Sequence, residues 1–318
     1  MNDKQINKFL RRRFSQIGWI TVAYYLLMNV LASLGMILEM AKQSIWSFAA
    51  GDFSMDLDMD AIMGNAWGYI LTILVGFALL DAWKGREFWK REVLAKESSM
   101  KISTFLCMLC FCMGAQMVSS LWITLLELLM QPAGKSVMPV LESVAGSSDT
   151  FSMFLYASIF APIWEELLFR GFVLRSLRPY GKRFAIVGSA ILFGLFHGNL
   201  LQAPYAVFMG LLMGYVTVEY SFVWSVLLHI FNNFVLADLL TRLTASWSDM
   251  AYGSLNLILF GGSALVSLVI LLCNRAEIRT YRQGEWMDRR CLKCFFTNTG
   301  IGALMLLMCI NMILIFSA

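Results

Sequence analysis

Nine stretches of predominantly apolar residues run through the chain, at about 17–38, 62–83, 103–129, 151–174, 184–200, 204–220, 222–241, 252–273 and 299–317. A hydrocarbon core roughly 30 Å thick takes about 20 residues of helix to cross. In lipid a segment must satisfy its own backbone polar groups, which a helix does. The expected fold is therefore all-α, a polytopic transmembrane helix bundle of about nine spans. Composition agrees, with 59% of the 318 residues hydrophobic and 14% charged. Ordinary globular domains run near half apolar and a quarter charged. A water-soluble enzyme would have nowhere to bury such a surface, and a disordered chain is excluded as well. The windows at 184–200 and 204–220 are short and separated by little more than Gln202-Ala203-Pro204, the pattern of a tight helical hairpin.

Basic residues choose a sidedness. Lys4, Lys8 and Arg11 to Arg13 precede the first window, and Lys84, Arg86, Lys90, Arg91, Lys96 and Lys101 lie between the second and third. Arg175, Arg178, Lys182 and Arg183 follow the fourth, and a further basic group from Arg275 to Lys293 precedes the ninth. The opposite loops hold Asp52, Asp56, Asp58, Asp60, Asp149 and Asp249, with Lys135 and Arg242 as minor exceptions. Nine spans with a cytoplasmic N-terminus satisfy that distribution, in a multi-pass cell-membrane protein. The polar, basic start followed by a long apolar run does not read as a cleavable signal peptide. The linkers are too short for a second domain, so residues 1–318 are expected to form a single membrane domain. Its catalytic helical core would be about 150–241, with peripheral helices at 17–129 and 252–317.

A net charge of +4, scattered along the chain, points to no nucleic-acid partner; the partner it implies is the bilayer. Seven cysteines make no disulfide framework. Cys291 and Cys294 form a lone CxxC pair, a weak signal for zinc without a second pair or nearby histidine. Glycines spaced as GxxxG, at Gly194/Gly198 and Gly210/Gly214, suggest close helix approach in the hairpin.

The window that begins at 151 holds charge where lipid penalises it. Glu165, Glu166 and Arg170 lie inside FSMFLYASIFAPIWEELLFRGFVLRSL, and each unpaired charge at the bilayer centre costs roughly 2.5–3.5 kcal/mol on insertion scales. Glu166 and Arg170, four apart, share a helix face and can pair. Glu165 lies about 100° further round and needs a cavity, another helix or a water. Both histidines of the chain, His197 and His229, also fall in apolar windows. Phe193 sits one turn before His197, and Asn233 one turn after His229. At 1.5 Å of rise per residue, Glu165 lies about 14 Å from the cytoplasmic end of its helix, His229 about 10 Å, Asn233 about 16 Å and His197 about 20 Å. The groups can converge in the middle of the bundle, towards its cytoplasmic half.

A carboxylate and an imidazole around a water can activate it and later protonate a leaving amine. His229 and the Asn233 amide can supply donors to an oxyanion. Together these groups suit amide hydrolysis on a peptide or membrane-protein substrate, with no cofactor. No GxSxG nucleophile elbow is present, nor an HExxH pair. Zinc held by His197, His229 and a glutamate from separate helices stays open. So do a non-catalytic membrane scaffold or immunity protein that binds a partner membrane protein, and a proton-coupled transporter.

The ordered triple of EExxxR (Glu165, Glu166, Arg170), FxxxH (Phe193, His197) and HxxxN (His229, Asn233) resembles the signature of the CPBP family. That family, also called ABI, holds the type II CAAX prenyl endopeptidases and their bacterial relatives. The resemblance covers about residues 150–240. It implies a multi-helix membrane bundle with glutamic endopeptidase activity. Glu165 and His197 would activate water, His229 and Asn233 would hold the oxyanion, and Glu166, Arg170 and Phe193 would support them. A ninth span departs from the eight-helix arrangement associated with eukaryotic members.

Overall fold

The structure, a computed structural model, describes residues 2–51, 53, 56–145, 150–284 and 288–317. Among these the chain is helical, with no strand beyond one isolated bridge between Lys96 and Ser221. Asp52 and Asp149, two of the loop acids counted above, lie outside the described residues.

Helix α1 covers Asp3–Ala49, and at 47 residues it is about 70 Å long, so both ends project beyond a hydrocarbon core. Its start is set by a capping box in which Asn2 and Gln5 side chains accept each other's backbone N–H. Helix α2 (Met59–Lys84) is opened by the Asp58 carboxylate, and α3 covers Ile102–Ala133. Helix α4 (Phe151–Tyr180) begins where the Thr150 hydroxyl accepts from the Met153 N–H. Helices α5 (Lys182–Phe196) and α6 (Ala203–Glu219) follow, then α7 (Phe222–Thr244) and α8 (Asp249–Cys273). The chain closes with the short polar α9 (Arg275–Gly284), α10 (Arg289–Phe296) and α11 (Thr299–Ser317).

Every apolar window of the sequence lies on a helix, but the span count differs from nine. Six helices, α1 to α4, α7 and α8, are long and apolar enough to cross a membrane. Helices α5 and α6 have 15 and 17 residues, or about 22 and 26 Å, short of the hydrocarbon thickness. Helix α11 joins α10 through a 58° bend, and the two count as a seventh span only if taken as one.

The short hairpin α5–α6 forms the middle of the molecule. At Gly210 an added Cβ would lie 2.8 Å from the Ala190 Cα, so the two backbones approach as closely as glycine permits. Around this pair, α1 packs on α2, α10 and α11, α3 packs on α8 and α6, and α7 packs on α4 and α6. The continuous core lies between α4, α5 and α1, where Phe14, Phe169, Phe172, Phe184 and Phe193 are fully enclosed. Helix α8 is the reverse case. Only 6% of its most apolar window is covered by protein, and Leu257, Ile258, Leu265 and Leu272 stand exposed, an apolar surface suited to a lipid environment. Cys291 and Cys294 are buried where α10 meets α1, with the Cys294 thiol 3.8 Å from Asn7 Oδ1. They pack as small apolar groups.

Candidate active site

Helix α4 is not uniform where it carries its charges. Wide π-type turns at Tyr156–Phe160 and Leu167–Leu174 flank a short α-helical stretch, Ala161–Glu166. Pro162 sits in the first turn of that stretch, where its missing N–H matters least. Wide turns of this kind occur often at functional positions, because they re-aim the side chains that follow. Here they deliver Glu166 and Arg170 to the enclosed side of α4 and leave Glu165 on a partly open one, 20% exposed.

Glu166 and Arg170 are fully buried, with Arg170 Nη1 3.1 Å from Glu166 Oε1. Each charge would be costly alone at this depth, and the pair is viable only because each neutralises the other. The Arg170 guanidinium also lies 4.3 Å over the face of the Phe193 ring and donates from Nη2 to the Met213 sulfur at 3.6 Å. The Glu166–Arg170 pairing read from the spacing is thus present.

The same Glu166 oxygen takes a second partner across the bundle. His229 Nδ1 lies 2.9 Å from Glu166 Oε1. A carboxylate oxygen beside a guanidinium accepts, so Nδ1 carries the proton and donates. That leaves His229 Nε2 on the far side of the ring, 3.6 Å from Glu165 Oε2. The gap is longer than a direct hydrogen bond. His229 therefore stands between the two adjacent glutamates of α4.

His197 follows the last residue of α5, and its Nδ1 lies 2.9 Å from the Phe193 carbonyl oxygen. A carbonyl can only accept, so Nδ1 is the protonated nitrogen and Nε2 keeps its lone pair for an incoming proton. Among the described residues His197 makes no ion pair with a carboxylate. What joins the two histidines is Phe193. Its ring meets His197 edge-on at 4.9 Å and His229 edge-on at 5.7 Å, with interplanar angles of 88° and 89°. The sequence placed Phe193 beside His197 alone, whereas the fold makes it the common neighbour of both imidazoles and Arg170.

The turn after His197 is held by helices far away in sequence. Gly198 has φ +65°, a backbone state that residues with a Cβ rarely adopt. Its carbonyl accepts from Asn311 of α11 at 3.0 Å, and the Leu200 carbonyl accepts from the Trp122 indole of α3 at 3.0 Å. Neither tie was legible from the motifs.

Asn233, one turn after His229, donates from Nδ2 to the Ala157 carbonyl of α4 at 3.0 Å and accepts from the Asn232 side-chain amide at 3.0 Å. Asn232 is in turn bonded to Tyr205 and Gln116. These three residues escaped the sequence reading. The available signal was a lone glutamine within the apolar run of α3 and a second asparagine beside the first.

No three His, Cys, Asp or Glu side chains among the described residues converge as a metal-binding group. Chemically, the site offers a half-open carboxylate, an imidazole buttressed by a second carboxylate, an imidazole with a free basic nitrogen, and an amide, on three helices of the bundle.

No curated protein and no solved structure matches the chain. The resemblance read from the three motifs is nonetheless borne out by comparison with protein families. Residues 147–235, from the start of α4 into α7 and spanning every motif residue from Glu165 to Asn233, match the protease family described as Type II CAAX prenyl endopeptidase Rce1-like.

Proposed function

We propose that this protein is an intramembrane endopeptidase that hydrolyses a peptide bond with a water activated by Glu165. The observation that carries the reading is the half-open Glu165 carboxylate 3.6 Å from His229 Nε2, with Glu166 and Arg170 sealed behind that imidazole. Glu165 takes a proton from the water as it attacks the scissile carbonyl, with the basic Nε2 of His197 as the second acceptor at the site. His229, with its Nδ1–H on Glu166, donates from Nε2 when the ring carries a proton on both nitrogens, and in that form it and the spare N–H of Asn233 face the oxygen that becomes the oxyanion. Collapse of the tetrahedral intermediate breaks the C–N bond, and the proton held at the site passes to the leaving amine. Glu166, Arg170 and Phe193 keep the imidazoles in place and do not touch the reacting atoms. No metal enters these steps.

The basic loops favour a cytoplasmic N-terminus and a site in the cytoplasmic half of the bilayer, within one membrane domain whose working core is about 150–241. The test uses the full chain in lipid nanodiscs and a quenched-fluorescent peptide with a farnesylated cysteine three residues from its C-terminus, beside its unprenylated twin. Glu165→Gln should abolish cleavage of whichever peptide is cut while leaving the thermal midpoint unchanged. Undiminished turnover by that variant would remove Glu165 from the role of base.

A further inference from the structure

We propose that Gln116, Tyr205 and Asn232 are positioning residues that fix which face Asn233 turns to the site, an inference that rests on the endopeptidase reading above. Gln116 lies on α3, outside the segment that matches the protease family. Its Nε2 donates to the Tyr205 hydroxyl at 2.8 Å and to Asn232 Oδ1 at 3.2 Å. Tyr205, having accepted, donates its own proton to Asn232 Oδ1 at 2.5 Å. With two donors on its oxygen, the Asn232 amide must turn its NH2 the other way, and Nδ2 donates to Asn233 Oδ1 at 3.0 Å. Asn233 Nδ2 then donates to the Ala157 carbonyl at 3.0 Å.

Every donor in this relay points the same way, from α3 through α6 and α7 to α4. That direction has a consequence for Asn233. Flipping its amide would set NH2 against NH2 at Asn232 and oxygen against oxygen at Ala157, two repulsions in a medium with little water to screen them. Asn233 is therefore held in one orientation, with one N–H on Ala157 and the second left for the site. The bland account is that buried polar groups merely satisfy each other in lipid. That account asks only for partners; it does not require the chain of donors to end on the asparagine of the HxxxN motif.

The prediction is a loss transmitted through Asn233. With the same nanodisc preparation and farnesylated peptide, the combined substitution Gln116→Leu/Tyr205→Phe should lower kcat about tenfold and leave KM within about twofold, a smaller loss than the roughly hundredfold or more of deleting an oxyanion donor outright. In an Asn233→Ala background the same pair should cause no further fall. Equal fold-losses in both backgrounds, or no loss in the first, would overturn the relay and leave the endopeptidase reading standing. If the double variant fails to fold, Tyr205→Phe alone takes its place in the same cycle, with a loss of about threefold, since Gln116 still reaches Asn232.

A second arm does not depend on turnover. Asn232→Asp puts an acceptor where the NH2 donor stood, so a high-resolution structure of that variant should show Asn233 turned, with its amide nitrogen facing position 232. An unturned Asn233 would overturn the relay even if the peptide is cleaved. A turned Asn233 in a protein that cuts neither peptide would uphold the relay and count against the endopeptidase reading.

Discussion

Glu166 and His229, sixty-three residues apart in the chain, meet at 2.9 Å, and the carboxylate oxygen that receives the His229 proton is the one paired with Arg170. One oxygen thus links two residues of α4 to the imidazole of α7. The arrangement fixes the ring orientation of a histidine whose other nitrogen faces Glu165.

Removing one member of the buried pair should cost more than removing both. Glu166→Gln or Arg170→Met alone leaves a buried charge without its partner, a loss of about 3–5 kcal/mol. The double variant should regain a large part of that. Thermal midpoints in one detergent, combined as a double-mutant cycle, check it. Additive losses would mean that the two side chains do not depend on each other.

Phe193 should matter to both histidines. Phe193→Leu keeps most of the volume but loses three edge-on ring contacts, to His197, His229 and Phe169, and the guanidinium on its face, each about 0.5–1.5 kcal/mol. A fall of about 1–3 kcal/mol in stability is expected, with a clear drop in kcat on the farnesylated peptide. A drop in the thermal midpoint with kcat unchanged would show that the ring packs without orienting either imidazole.

Two glycines separate tight packing from mere composition. Gly210→Ala sets a Cβ 2.8 Å from the Ala190 Cα and should destabilise by about 1–3 kcal/mol through overpacking. Gly262→Ala in α8 meets nothing within 4 Å and should be neutral or stabilising by up to about 1 kcal/mol. Thermal midpoints of the two variants read the contrast directly.

The sidedness read from charge is open to labelling in intact cells. Single cysteines in a cysteine-free background, Lys90→Cys and Ser248→Cys, should react oppositely with a membrane-impermeant maleimide. Ser248→Cys should label in intact cells and Lys90→Cys only after permeabilisation. The reverse pattern would turn the protein over, and with it the face from which substrate reaches the site.

Chelation bears on the chemistry. A strong zinc chelator added to the purified chain should leave peptide cleavage unchanged if Glu165 and His197 activate the water without a metal. Loss of activity that returns on adding zinc would transfer that work to a metal ion.

Hydropathy and charge in the sequence were enough to establish an all-helical membrane chain, the helices that carry its apolar windows, and the charged and imidazole groups too costly to place in lipid without a purpose; the polar helices α9 and α10 read only as a basic connection. Those properties are local. A helix satisfies its own backbone, and the penalty for Glu165 or His197 in hydrocarbon follows from its immediate neighbours. The hairpin of α5 and α6 was legible from their short windows, but tertiary structure alone decided how closely their backbones approach and how little of α8 the protein covers. It also set His229 against Glu166, put Phe193 between the imidazoles, and drew Gln116, Tyr205 and Asn232 into line with Asn233. Apolar periodicity cannot carry that information, because a lipid tail and a leucine look alike to a membrane helix. Which polar group meets which depends on the rotation and depth of helices that the sequence places tens of residues apart.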